Sequence, residues 1–129
     1  MPKKQLIVNT KNSKIKSICS KVFRFFKNYF PIQKIVIIDF VEPRTIRRLK
    51  KQIWGINVFT DTITLIYDDS VQIYLCLDII RQNAKKIKHP FYKELSLVLI
   101  HSLLHAVGKD ESEAKKIQDM IFNDFYGEK

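Results

Sequence analysis

Residues 101–111 read His-Ser-Leu-Leu-His-Ala-Val-Gly-Lys-Asp-Glu. Two histidines four apart lie on one face of a helix and can aim their imidazoles at one point. Zinc asks for about this much: ring nitrogens near 2 Å from the ion, carried on a rigid element. Gly108 then breaks the helix, because glycine takes positive φ at no steric cost. The chain can turn back there and bring Glu111 or Asp110 to the same point as a third ligand. Two imidazoles and a carboxylate are an attested catalytic set that leaves one position for water. The zinc-protease motif HExxH has its general base directly after the first histidine. Here that residue is Ser102, which cannot accept the proton, so the protease reading loses its base. The competing view is a core helix whose histidines are satisfied by carbonyls. Against it, two of the chain's three histidines fall in this one stretch.

These residues need a helix and a sheet to hold them. "FYKELSLVLIHSLLHAV" (91–107) is apolar nearly all round, which predicts a central helix ending at Gly108. Upstream, a first strand is expected over 4–10 and a helix over 13–30, with Ser13 as its cap and Pro31 closing it. A buried strand follows over 34–39. The next helix begins with Pro43 in its first turn and turns Ile46, Leu49 and Ile53 inward. Strands over 59–67 and 71–77 are close enough in sequence to form a hairpin. A third helix runs over 78–88 and ends at His89-Pro90. A fifth covers 110–126, with acids in its first turn. The order βαβαββααα predicts a single α+β domain over 1–129: a mixed four-stranded sheet, about five helices, and the metal-site helix at the centre.

A chain of 129 residues buries a core without staples. Cys19 and Cys76 stand far apart in apolar surroundings and form no CxxC pair, which fits a reducing compartment. The first ten residues lack the apolar core of a signal peptide. The longest apolar run is too short to span a membrane. A soluble cytoplasmic protein is expected, with no membrane partner and no nucleotide cofactor. The net charge is +10 and uneven: residues 1–109 hold 20 Lys/Arg against 7 Asp/Glu, and residues 110–129 hold 3 against 6. Such a basic body favours capture of polyanions, RNA among them.

The quoted stretch resembles the signature HGxLHLxGxDH of the endoribonuclease YbeY family, zinc-dependent rRNA maturation factors. His101, Leu104, His105, Gly108 and Asp110 match it. Thr60-Asp61 is similar to the start of that family's TDVLSF stretch, and "VQIYLCLDIIRQNA" (71–84) to its GDIVISLDRAKEQA. Glu94-Leu95 and Met120 agree as well. Motifs cover roughly residues 45–125. The resemblance implies one Zn²⁺ per chain held by His101, His105 and Glu111, with Asp110 orienting a ligand histidine from behind; by its position Asp110 is equally a cap for the last helix. Three departures mark a divergent member: Glu111 replaces the third histidine, Ser102 the motif glycine, and Trp54 an arginine assigned to the RNA backbone. The implied function is single-strand-specific endoribonuclease activity in rRNA maturation and ribosome quality control. The implied partners are an rRNA precursor and the ribosome or a ribosomal protein. Arg47, Arg48 and Lys51 are the candidates to hold phosphates and Trp54 to stack a base; the competing place for the Trp54 ring, and the favoured one from sequence, is a plug in the core beneath the second helix. No catalytic side chain is singled out beyond the water the ion would carry. The alternative is a non-catalytic RNA- or ribosome-binding domain with a structural metal.

Overall fold

A computed structural model describes residues 5–127. Strand β1 (Leu6–Asn9) leads through helix α1 (Ser13–Phe26) to β2 (Ile35–Phe40) and helix α2 (Pro43–Trp54). The hairpin β3 (Thr62–Ile66) and β4 (Ser70–Leu75) follows, then α3 (Leu77–Lys86), α4 (Phe91–Ala106) and α5 (Glu111–Tyr126). The sheet order is β1-β2-β4-β3. β1 and β4 pair parallel to β2, and β3 pairs antiparallel to β4, so β3 is a free edge. This is the mixed four-stranded α+β arrangement expected from the sequence. Lys4, where the first strand was expected to begin, lies outside the described residues.

Alternation along the strands decides what covers each face. Val36 and Ile38 of β2 and Val71, Ile73 and Leu75 of β4 are buried in the main core with α1 and α4. Ile63 of β3 points the other way and joins Ile46 of α2 and Cys76 in a smaller core. Between these inward residues, Thr62 and Thr64 face α4. The Thr62 and Ser102 hydroxyls are 2.7 Å apart, and Ser102 Oγ also donates to the Val98 carbonyl at 2.8 Å. Ser102 is fully buried. It ties α4 to the edge strand and does not reach the cleft as a base.

α4 is central as expected: Leu95, Leu99, Ile100, Leu103 and Leu104 are all buried. Both cysteines are free and buried, and burial pushes the Cys19 thiol up to about 12. No described helix is long and apolar enough to cross a membrane. Three local expectations are corrected. Asn12, not Ser13, caps α1, its side-chain oxygen accepting from the Lys14 and Ile15 amides. α1 stops at Phe26 rather than reaching Phe30: its end tightens into i→i+3 turns, the Asn28 amide donating to the Phe25 carbonyl at 3.1 Å and the Tyr29 amide to the Phe26 carbonyl at 2.9 Å, before Pro31. Ile53, expected inside, is exposed. The small core under α2 takes Ile46 with Leu49 packed against it, and the last turn runs past its edge.

Candidate metal centre

The end of α4 is shaped by Gly108, whose φ of 91° is left-handed. The Gly108 amide donates to the His105 carbonyl and the Lys109 amide to the Leu104 carbonyl, each at 3.0 Å. This double bond pattern closes the helix around a positive-φ residue. The turn also carries the Lys109 carbonyl back to His105, whose Nδ1 donates to it at 2.9 Å. Asp110 then caps α5: its carboxylate accepts from the Glu113 amide at 2.8 Å, while the Glu113 side chain accepts from the Asp110 amide at 3.2 Å. That reciprocal cap starts α5 at Glu111 and sets the Glu111 carboxylate over the histidines.

Nδ1 of His101 donates to Oε1 of Gln118. Both imidazoles therefore carry their proton on Nδ1 and present a bare Nε2. These two nitrogens are 3.1 Å apart. The Glu111 carboxylate lies 3.2 Å from the first and 3.0 Å from the second. Lone pairs so placed repel one another unless an extra proton or a metal ion sits among them. Bonds of 2.0–2.1 Å at a tetrahedral angle put neighbouring ligand atoms roughly 3.3 Å apart. The observed spacing is close to that, so the three side chains fit a tetrahedral ion that they do not fully enclose. They are the one group of potential ligands brought together among the described residues. Burial works to raise the Glu111 carboxyl, but positive charge among the three groups, such as the extra proton that makes an imidazole both a cation and an Nε2–H donor, outweighs it and holds the group below its ordinary value.

The trio lines a cleft of about 660 Å³ that runs along the free edge of β3, with Lys50, Trp54, Ile56 and Asp61 among its other walls. Trp54 is 49 % exposed, so it is a wall of this cleft rather than a core plug. Burial raises the Asp61 carboxyl, and its own and the Thr62 backbone amides, His101 and Lys50 only partly offset that. Two turns before His101 on α4, Glu94 is buried 3.1 Å from His89. Burial raises its carboxyl as well, against the pull of His89. His89 thus belongs to this pair and stands apart from the trio.

Of the residues expected from sequence, His101, His105 and Glu111 come together. Asp110 is placed as the α5 cap, and the task of fixing the imidazoles falls to Gln118 and the Lys109 carbonyl. Trp54 lines the cleft, but Arg47, Arg48 and Lys51 do not; the cation there is Lys50. Arg47 Nε instead donates to Asn57 at 2.7 Å, and its guanidinium lies over the Phe59 ring at 4.9 Å. Gln118 went unnoticed in the sequence, although it stands seven residues after Glu111 and so on the same face of α5.

A family model described as endoribonuclease YbeY matches residues 2–124. Proteins named endoribonuclease YbeY are similar to this chain. That of Thermosipho melanesiensis is 39% identical over 88 residues, 63% of this chain and 64% of its own. That of Chlorobium phaeobacteroides is 36% identical over 85 residues, 63% and 62% respectively. These alignments span less than two thirds of either relative's length. Among solved structures, the solution structure of TM1509 from Thermotoga maritima superposes with a TM-score of 0.66 at 27% identity, covering 98% of this chain and 91% of that one.

Proposed function

The chain belongs to the endoribonuclease YbeY family, and from that premise we propose that it is a metal-dependent endoribonuclease specific for single-stranded RNA. It acts on rRNA precursors in rRNA maturation and ribosome quality control, in the cytoplasm, in contact with the ribosome or a ribosomal protein. Its cofactor is one Zn²⁺ per chain. The observation that carries the proposal is the trio itself: two imidazoles fixed in the tautomer that bares Nε2, facing a carboxylate at ligand spacing, at the side of an open cleft.

His101 and His105 would hold the ion through Nε2 and Glu111 through its carboxylate. When bound there, the cation supplies a water of lowered pKa and a positive charge beside the phosphoryl oxygen. Lys50 neutralises a phosphate of the strand in the cleft. Arg47, Arg48 and Lys51 extend that positive field along α2 and attract the strand from a distance. Trp54 offers a ring face on which a base stacks, a contact that suits single strands of any sequence. Asp61 lines the same cleft as the trio with its charge disfavoured by burial, so it can take and return a proton near the reacting phosphate. Three protein donors beside an open cleft favour this over a purely structural site, which is as a rule closed by four.

The experiment is cleavage of an end-labelled single-stranded RNA by the purified full chain, beside the same sequence as a duplex. Cleavage of the single strand alone is expected, lost in chelator, restored by Zn²⁺, and absent from His105→Ala. Bound metal with no metal-dependent cleavage would turn the assignment to a non-catalytic RNA-binding domain.

A further inference from the structure

On the far side of Asp61 from the metal centre lies a second cavity of about 520 Å³, walled by Phe59, Thr60, Asp61, Gln82, Asn83 and Lys86. It shares Thr60 and Asp61 with the metal cleft, so a strand crossing that ridge passes from one into the other. Its size is in the range of small-molecule sites, roughly 300–1,000 Å³. Three features of its wall match one ligand. Phe59 is 56 % exposed; Arg47 covers one face of its ring, which leaves the other face for stacking. Gln82 and Asn83, adjacent on α3, have side-chain amides with no hydrogen-bond partner among the described residues. Lys86 adds a positive charge one turn further along α3.

An aromatic face, two free amides and a cation are the parts from which a nucleotide site is made: a stacking platform, an edge reader and a phosphate contact. A carboxamide presents a donor and an acceptor in one plane, which meets the N6 donor and N7 acceptor of adenine together. We propose that this cavity is a nucleobase subsite taking an adenine of the RNA strand, next to the nucleotide held at the metal centre. The inference rests on the proposed RNA substrate and adds to it a sequence preference set by Gln82 and Asn83.

The test is fluorescence anisotropy with labelled homopolymers of A, C and U roughly ten nucleotides long, within the span one small domain covers, in chelator so that no cleavage intrudes. Wild type is expected to bind oligo(A) about tenfold more tightly than oligo(C), the size of one good amide–base match. Gln82→Ala/Asn83→Ala is expected to bind all three as wild type binds the weakest. Phe59→Ala is expected to weaken all three together, and Phe59→Tyr to restore them. Equal binding of the three homopolymers by wild type, or an A preference that survives in the double variant, overturns the subsite while leaving an RNA-binding protein. Absence of binding to every homopolymer overturns the RNA reading beneath it. Both amides are on an accessible helix face, and an unchanged circular dichroism spectrum confirms that the variant is folded.

Discussion

Replacing Gln118 by leucine keeps the bulk of the side chain and removes the oxygen that accepts the Nδ1 proton of His101. That proton then has no acceptor at a half-buried position, and the imidazole is free to move it to Nε2, where it blocks ligation. His105 keeps its bond to the Lys109 carbonyl, so one of three donors is compromised. Loss of such a partner lowers metal affinity by about 10- to 100-fold, or about 1.4–2.8 kcal/mol. At free Zn²⁺ a hundredfold above the wild-type Kd, the ion stabilises the folded chain by about 2.7 kcal/mol; for the variant this falls to about 1.4 at tenfold weaker binding and about 0.4 at hundredfold. At about 4 °C per kcal/mol for a chain of this size, wild type gains about 10 °C from the ion and Gln118→Leu about 2–6 °C. Scanning calorimetry with and without Zn²⁺ reads both shifts, and competition against a chromophoric chelator reads the affinities directly. Equal ion-induced shifts in the two proteins, with both folded, would refute the claim that Gln118 holds His101 for an ion.

Neighbouring acids should separate: Glu111→Ala loses the metal and destabilises the metal-free chain only slightly, since the folded chain favours that ionised carboxylate at an exposed position. Asp110→Ala keeps the metal and loses about 1 kcal/mol with the α5 cap, as elemental analysis beside denaturant melts will record. For Asp61, burial raises the carboxyl above its ordinary 3.8, so the folded chain holds that proton more tightly than the unfolded one and ionisation weakens the fold. Asp61→Asn should therefore be more stable than wild type at pH 7, with the advantage fading as pH falls through the raised value towards 3.8; an advantage independent of pH in thermal melts would contradict this. Trp54→Ala should weaken binding of single-stranded RNA by roughly fivefold or more, the lower end of a base–aromatic stack, while the melting temperature of this half-exposed position barely moves.

The elements were legible because their periods are clean. β-branched runs gave β2 and β4, and the all-round apolar pattern gave α4 and its central place. The ends were less so. Asn12 and Ser13 are both good caps, and only the backbone decides which side chain reaches the Lys14 and Ile15 amides. Ile53 fits the inward stripe of α2, yet that helix covers a core of just three buried residues, so its last turn has nothing to bury against. The convergence of His101, His105 and Glu111 was legible because their spacing is local: one helix face and the turn after it. What depended on tertiary packing was hidden. Gln118 reaches His101 only because α5 folds back along α4. Lys50 faces the cleft, and Arg47 turns to Asn57 and Phe59 instead, according to how α2 sits on β3. Asp110, matched by motif, carries a cap that the sequence offered as an equal reading.

The most direct measurement is an anomalous-scattering map from a crystal grown with Zn²⁺. A single peak about 2 Å from Nε2 of His101, Nε2 of His105 and the Glu111 carboxylate is expected, with one coordination position turned to the cleft. A peak elsewhere, or none while the imidazoles keep their present positions, would contradict the metal centre on which the proposed hydrolysis depends.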